Sequence, residues 1–556
     1  MTQPELLAST LRDLLLDDVE ASPVAASGLG LTEYDGRLDD LSADAFRSRD
    51  AYARTFLAWL DDIGDAGLMP DETIDRDLAR SVLRGRLILA PFEGWKRDPI
   101  VYSGPITGGL FTLFLQRLTG EADRVEACVS RLAQAGGAID AGIANLDPAL
   151  AHPLIVERGL AAARSTVRYV RDLVWRDVED PALRSRLRAA GEDAAPHLER
   201  WVAHLEGFLP RAAGSWELGE DGYSRILRER EVLGDDARSL RDRGRAEFER
   251  LAAEMTVLSR EATGNPDYAS VLRGDDGNHP PTEEAMLEAY AAWTAKARAF
   301  LAETGLVTLP EGETCVVVPS PVFQRPVLGV ASYVSPPAFS DRLKGHFFVP
   351  FAPDGAGDEE VQSRLSNNSY GSIPTTSVHE AYPGHHWHLV MRKANPSDVR
   401  KVYSTPYFSE GWALYAERVM RERGFFESPM HELHHLNATL FRAARIIVDT
   451  SLHLGEMTFE QAVTFMTDKA ALPDPVARAE VGRYCWWPTQ ASSYLTGCLE
   501  ILAIRERYLA DRGYGGVDPR DVPIEALRGF HDAITSSGAL PLGLARRAVL
   551  RSPIAG

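Results

Sequence analysis

The chain has 556 residues, of which 45% are hydrophobic and 25% are charged, a composition typical of globular proteins. Against 60 lysines and arginines stand 80 aspartates and glutamates, so the formal net charge is −20. An acidic surface repels phosphate backbones, which argues against nucleic acid as a partner. No run of 18 apolar residues occurs, which argues against a membrane-spanning segment and a membrane partner.

The cysteines and the N-terminus predict a cytoplasmic protein. Four cysteines without a Cys-x-x-Cys pair make no disulfide framework, so we expect reduced thiols. The first residues contain no basic region, and their short apolar stretch ends at Asp17 and Asp18, unlike a signal peptide. Neither feature bears on the oligomeric state, which stays open.

Residues 1–310 predict a succession of helices. Apolar residues recur there at three- and four-residue steps, and proline and glycine punctuate the pattern. The clearest helical windows are 46–64, 73–90, 153–176, 222–236, 238–262 and 282–304. From about residue 374 the same helical pattern continues to the end of the chain.

Between these helical parts, residues 311–352 predict one small β-sheet. Three short β-branched or aromatic runs, bounded by proline and glycine, read as strands: Thr314–Val318, Gly329–Val334 and Gly345–Val349. No linker-like segment separates the parts. We therefore expect a mainly α, multi-helix fold with a deep cleft, in which 1–310, 311–352 and 353–556 form one bilobal unit.

A histidine cluster is the most chemically specific part of the sequence. Four of the 14 histidines fall within 379–388, and a glutamate follows the first of them. In the zinc-peptidase pattern His-Glu-x-x-His, about 400° of helical rotation brings both imidazoles to one ion. Here the second histidine position is Pro383, which cannot be a ligand. A two-residue bulge at this proline and the following glycine would restore a pair from His379 and His385, with His386 as the competing choice.

A carboxylate is needed to complete a zinc site, which takes three protein ligands and keeps one position for water. The segment Ser409–Glu417 predicts a helix with Glu410 and Glu417 two turns apart on nearly one face. Glu410 is the candidate ligand, and Glu417 is either a ligand or a group that holds a histidine ring. Ser377-x-x-Glu380 also fits a capping box, which would make Glu380 structural.

A literal His-Glu-x-x-His competes with this site at His431, Glu432 and His435. The preceding Ser428-Pro429 suits a helix N-cap followed by the first helical residue. That places His431 in an exposed first turn, so we prefer the site at His379.

These motifs resemble the bacterial "domain of unknown function 885" family, whose hallmark is His-Glu-x-x-Pro-Gly-His-His followed by Glu-Gly-Trp-x-x-Tyr-x-Glu. The matching segments are His379–His386 and Glu410–Glu417, with Ala381 where many members carry glycine. Supporting matches cover most of the chain: Ser22-Pro23-Val24, Tyr34-Asp35, Arg442 to His453, Tyr484 to Pro488, and Tyr494 to Gly497. The family looks like a branch of the helical zinc peptidases, which grip extended peptides in a deep cleft. Most members lack an assigned substrate, so the resemblance implies a chemistry more than a substrate.

The residues and the resemblance together predict a zinc-dependent hydrolase of short peptides or peptide-like amides. We expect His379, His385 and Glu410 to hold one Zn²⁺ per chain. Glu380 is the predicted general base, which takes a proton from water and passes it to the leaving amine.

Two further groups are candidate donors to the developing oxyanion, namely His453 and Tyr494. For each, a structural role in the core is the alternative. The strand through Val330–Val334 is expected to lie along the cleft and to pair with the substrate backbone. An alternative function is that of a metal-dependent hydrolase or lyase of a small metabolite; a metal-free binding protein is a third reading, against which the intact Glu380 argues.

Overall fold

Helices make up most of the chain, of which a computed structural model describes residues 2–275, 277–325, 329–470 and 472–550. Before the sheet the helices are α1 (Gln3–Ala21), α2 (Pro23–Gly28), α3 (Ala43–Asp62), α4 (Pro70–Leu89), α5 (Ile100–Gln116), α6 (Glu121–Asn145), α7 (Pro153–Arg168), α8 (Pro181–Phe208), α9 (Gly219–Arg225), α10 (Ala237–Thr263), α11 (Tyr268–Gly274) and α12 (Glu283–Thr304). Each predicted window coincides with one of these helices, although the window 222–236 holds only the short α9 and a following π-helical turn, Ile226–Arg230.

After the sheet the helices are α13 (Asp358–Ser366), α14 (Ile373–Glu380), α15 (His385–Lys393), α16 (Asp398–Val402), α17 (Pro406–Glu422), α18 (Pro429–His453), α19 (Phe459–Ala470), α20 (Asp474–Trp486), α21 (Gln490–Ala510), α22 (Ile524–Ser536) and α23 (Leu542–Leu550). The prediction of a mainly α fold is confirmed. The deep cleft remains a prediction.

The helices begin where the sequence supplies what a first turn needs. The side chain of Ser42 accepts a hydrogen bond from the Ala45 backbone N–H at the start of α3, and Ser428 does the same for His431 in α18. Proline occupies the first position of α4, α7, α17 and α18, where the backbone N–H that it lacks would have no helical partner.

A three-stranded sheet interrupts the helices, as predicted. Its strands are β1 (Thr314–Pro319), β2 (Ser332–Val334) and β3 (Lys344–Val349). The strand order is β1-β3-β2, in which β3 runs parallel to β1 and antiparallel to β2. Phe347 in the central strand faces Val317 on one side and Tyr333 on the other. The second strand is shorter than predicted, since Val330 lies outside it and is exposed.

By its internal contacts the chain divides into two compact units. Unit 1 comprises Met1–Glu72, Val82–Trp216 and Pro337–Arg342, and unit 2 comprises Thr73–Ser81, Glu217–Pro336 and Leu343–Gly556. The candidate metal site lies entirely in unit 2. The boundaries 1–310, 311–352 and 353–556 follow the change from helix to strand and back, and as domain boundaries they stay a prediction.

Each unit has a core of large aromatic side chains. In unit 1, Tyr102 and Trp201 are fully buried and pack edge to face with ring centroids 5.9 Å apart. In unit 2, Trp387 of α15 packs on Trp412 of α17 at 5.5 Å. The indole N–H of Trp412 donates to the carbonyl oxygen of Pro383 at 2.8 Å, so this core also fixes the segment that joins α14 to α15.

Within the described ranges, no helix combines the length and the apolar character that crossing a bilayer requires.

A candidate metal centre

His379 and His385 lie on two separate helices that meet at a tight turn. The helix α14 ends at Glu380, and α15 begins at His385. The turn brings the two rings together, with centroids 4.8 Å apart and planes at 90°. The predicted pairing of these histidines therefore occurs, but the predicted two-residue bulge in one continuous helix is wrong, because the helix stops and restarts.

Gly384 allows this turn because its backbone presses against the last turn of α14. Its N–H donates to the carbonyl oxygen of Val378 at 3.1 Å. A Cβ at this position would overlap the carbonyl oxygen of His379, so only glycine fits without a backbone shift. This close approach explains why glycine follows the proline at the turn.

Glu410 of α17 completes a group with metal-ligand spacing. Its Oε2 lies 3.4 Å from Nε2 of His379 and 3.3 Å from Nε2 of His385. The three ligand atoms all lie within 4.8 Å of one another. Tetrahedral ligands at about 2.1 Å from zinc are separated by about 3.4 Å, so the two measured distances suit such an ion. The donor set and its spacing thus fit the metal that the sequence predicts.

His386, the competing candidate, faces away from this group. Its Nε2 lies 2.8 Å from Oε2 of Glu313, and the hydroxyl of Tyr333 lies 2.8 Å from its Nδ1. The Tyr382 hydroxyl donates to the same Glu313 carboxylate. Both nitrogens of this fully buried ring are occupied, so the geometry favours His385 as the second ligand.

Glu417 holds His379 from behind. Nδ1 of His379 donates to Oε1 of this fully buried carboxylate at 2.7 Å, which directs Nε2 towards Glu410. Burial alone would raise the pKa of Glu417, but Arg442 and the hydrogen bond from His379 lower it to about 2. Burial alone would lower the pKa of His379, but hydrogen bonds with Glu410 and Glu417 raise it to about 9.

Glu380 is a buried carboxylate without a hydrogen-bonding partner among the described residues. It is 8% exposed and ends α14 immediately after His379. Burial raises the pKa of Glu380, while the nearby His379 and His385 act in the opposite direction. The capping-box alternative does not hold, because Ser377 is buried inside α14 rather than at its start.

Of the two predicted oxyanion donors, only Tyr494 lies beside the metal group. Its ring stacks near His379 with centroids 6.3 Å apart and an interplanar angle of 18°. By contrast, Nδ1 of the fully buried His453 faces the Leu218 backbone N–H at 3.4 Å, and its Nε2 faces the Tyr484 carbonyl oxygen at 3.0 Å. With both nitrogens engaged by backbone, His453 has no donor left for a substrate, and the catalytic role predicted for it is not supported.

The literal motif at 431–435 does not form a metal group in the described part of the chain. Ser428 caps α18, as predicted, and the ring of His431 packs edge to face on Trp293 at 5.2 Å. Nδ1 of His435 instead lies 3.3 Å from Oε2 of Glu417. His435 is therefore placed behind the metal group, a position that sequence spacing did not indicate.

A close helix crossing brings Tyr494 next to Glu410. The helices α17 and α21 pack together, with Gly411 and Gly497 at the contact. A Cβ on Gly411 would lie 2.5 Å from Cα of Gly497, and a Cβ on Gly497 would overlap the carbonyl oxygen of Tyr407. The glycines of the two sequence motifs thus allow one backbone-to-backbone contact.

Comparisons with known proteins support the fold and the family. A candidate lipoprotein of unknown function from Shewanella oneidensis is 21% identical, with a TM-score of 0.76 over 99% of this chain and 100% of that one. A candidate lipoprotein from Colwellia psychrerythraea is 20% identical, with a TM-score of 0.81 over 99% of each chain. At this identity the likeness concerns the fold alone. No protein with a curated description matches.

The family described as "Bacterial protein of unknown function (DUF885)" matches residues 23–549, nearly the whole chain. That span includes both hallmark segments, His379–His386 and Glu410–Glu417. The chain therefore belongs to the bacterial DUF885 family.

Proposed function

We propose that the protein is a zinc-dependent hydrolase of short peptides or peptide-like amides. The observation that carries this proposal is the group of His379, His385 and Glu410 with the unpartnered carboxylate of Glu380 beside it. Two imidazoles and one carboxylate are a common donor set of hydrolytic zinc sites. A bound zinc ion would polarise the substrate carbonyl and make the attacking water more acidic.

Glu380 is the proposed general base. Its carboxylate accepts no hydrogen bond from the described residues, so its oxygens are available to the attacking water. Burial raises the pKa of Glu380, which makes the carboxylate a stronger proton acceptor. After the carbonyl carbon is attacked, Glu380 delivers the proton to the nitrogen of the leaving amine.

Tyr494 is the proposed donor to the oxygen that gains negative charge. Its side chain is partly exposed and lies over His379. The side-chain N–H of Gln490 donates to its hydroxyl oxygen at 3.2 Å, which leaves the hydroxyl hydrogen for the substrate.

An extended peptide can use the free edge of β2. In the described residues this strand is paired only on the side of β3, and Tyr333 within it contacts His386, the residue that follows the proposed ligand His385. Backbone pairing at a strand edge recognises an extended amide chain irrespective of its side chains. This supports short peptide substrates over folded proteins.

The test is the variant Glu380→Gln in zinc-loaded protein. We expect it to keep one zinc per chain by elemental analysis and to lose at least about 10²-fold in kcat on a panel of dipeptides and tripeptides. Glu231→Gln is a matched control, because Glu231 is also a buried glutamate whose pKa is raised by burial, yet it contacts Thr405 instead of the metal group.

Near-native turnover by Glu380→Gln would refute the general-base role. A wild-type protein that binds zinc but cleaves no peptide would reject this function in favour of a metal-dependent hydrolase or lyase of a small metabolite.

A further inference from the structure

Three arginines lie near the metal group and are called here the arginine cluster: Arg442, which is beside Glu417, and Arg445 and Arg483, which share Glu480. The ring centroids of His379 and Tyr494 are 6.3 Å apart, and Cζ of Arg445 lies 4.6 Å from the Tyr494 centroid. The guanidinium of Arg445 therefore lies within about 11 Å of the His379 ring, and both groups lie beside the partly exposed phenol ring of Tyr494.

One nitrogen of Arg445 has no acceptor within the described ranges. Its Nε donates to the hydroxyl of Tyr484 at 3.2 Å, and its Nη2 donates to Oε2 of Glu480 at 2.9 Å. No described residue accepts a hydrogen bond from its Nη1. Arg445 is 8% exposed, and its guanidinium also stacks on the Phe441 ring at 4.1 Å. A guanidinium fixed in this way, with one nitrogen unpaired, is preorganised to bind an anion.

The charges around the site leave an excess of one positive charge. Glu480 accepts from Arg445 and also from Nη2 of Arg483 at 2.9 Å, so two guanidiniums share one carboxylate. Glu417 faces Arg442 at 3.8 Å. Three arginines thus face two carboxylates, whereas a divalent ion would be balanced by Glu410 and Glu380. A ligand with a single negative charge would make the whole assembly neutral.

Peptide geometry indicates where that negative charge lies. In a substrate cleaved at its last amide bond, the terminal carboxylate carbon lies about 4 Å beyond the scissile carbonyl carbon. A carboxylate paired with a guanidinium adds about 4 Å between their carbons, and the carbonyl itself must come within about 3 Å of the reacting groups. At full extension these spans add up to about 11 Å, which is the upper limit of the separation between Arg445 and the His379 ring, so such a substrate is long enough to reach both.

We propose that the arginine cluster, with Arg445 at its centre, binds the free carboxylate of the residue that is released. The enzyme then removes single residues from the C-terminus of short peptides, or splits N-acyl amino acids. Water adds its oxygen to the acyl carbon, the C–N bond breaks, and the amine leaves with the proton delivered by Glu380. This inference rests on the proposed hydrolase function, because it names the substrates of the same site.

The experiment compares free acids with amides on zinc-loaded, full-length protein. N-acetyl-alanyl-alanine and its C-terminal amide differ only in the charge that the arginine cluster would bind. We expect wild-type kcat/KM to favour the acid by at least about 10²-fold. The variant Arg445→Gln should reduce this preference to a few-fold, chiefly by raising KM for the acid. Arg445→Lys should recover part of the preference.

The matched control is Arg478→Gln in α20, the helix that also carries Arg483. Arg478 pairs with Glu460 at 2.8 Å on the exposed surface, so its loss removes a positive charge away from the metal group. We expect this variant to keep the wild-type preference for the acid. Equal cleavage of acid and amide by the wild-type protein would overturn the inference without any variant, while the hydrolase proposal would stand.

A binding measurement separates the two proposals if no peptide is cleaved. Calorimetry would compare N-acetylalanine with N-acetylalaninamide on the zinc-loaded protein and on Arg445→Gln. Tighter binding of the acid, lost in Arg445→Gln but kept in Arg478→Gln, would support the carboxylate site even where the hydrolase proposal fails. Equal binding of acid and amide, or binding unchanged in Arg445→Gln, would overturn it.

Discussion

Replacing Glu417 by glutamine should weaken zinc binding although Glu417 is not itself in the ligand group. Its Oε1 accepts the hydrogen bond from Nδ1 of His379 at 2.7 Å, and Nε2 of the same ring faces Glu410. The buried negative charge makes the imidazole a better electron donor and fixes its orientation. Glutamine keeps the volume and one acceptor oxygen but removes the charge.

The size of the effect follows from this geometry. Hydrogen bonds to charged groups contribute about 1.5–3 kcal/mol, and a tenfold change in affinity corresponds to about 1.4 kcal/mol. Because the amide oxygen of glutamine still accepts a hydrogen bond, only part of this energy is lost. We therefore expect zinc affinity to fall by about 10- to 100-fold, the range typical of such supporting residues.

The assay is competition for zinc between metal-free protein and a chromogenic chelator. Glu422→Gln is the matched control, since Glu422 lies on the same helix and pairs with Arg505 at 2.7 Å, without contact to His379. We expect that variant to bind zinc as the wild type does. Unchanged affinity in Glu417→Gln, or an equal loss in Glu422→Gln, would refute the reasoning.

Two further predictions concern the metal group and its turn. The pKa of His379 lies above its ordinary value, at about 9, so at lower pH the ring carries a proton that must leave when zinc binds. Apparent zinc affinity should therefore rise about tenfold per pH unit up to about pH 9 and then level off. A flat pH profile in chelator competition would contradict this prediction. Gly384→Ala should lower stability by about 3 kcal/mol or more and abolish zinc binding, because the added Cβ overlaps the carbonyl oxygen of His379. Denaturant unfolding would measure this, with Gly482→Ala in α20 as the control, because no atom lies within 4 Å of the carbon added there. An equal loss of stability in both variants would show that the close approach at Gly384 is unimportant.

The pairing of His379 with His385 was accessible from the sequence because proline excludes one ligand position and glycine permits an unusual turn. The form of that turn was not accessible. Spacing along a chain fixes how many residues separate two side chains, but the path between them depends on contacts such as that of Trp412 with the carbonyl oxygen of Pro383. A bulge and a break between helices satisfy the same spacing.

The residues that support the site carried weaker signals or none. Glu313 holds His386 from 73 positions away, in a segment with no motif of its own. The helical period correctly places Asp449 and His453 four residues apart on one face, with carboxylate and ring 3.7 Å apart, but it does not say what that face meets. The His453 ring on that face contacts the backbone of Leu218 and Tyr484, which leaves it no donor for a substrate.

The crossing of α17 and α21 constrains two residues of the candidate metal centre, Glu410 and Tyr494. At Gly411 and Gly497 the backbones of the two helices are in direct contact, so neither helix can slide or rotate past the other without a clash. We therefore expect Glu410 and Tyr494, each within one turn of that contact, to keep their relative positions. The junction of α14 and α15, which carries the two histidines and Glu380, is joined to the same helix pair through the hydrogen bond from Trp412 to the carbonyl oxygen of Pro383.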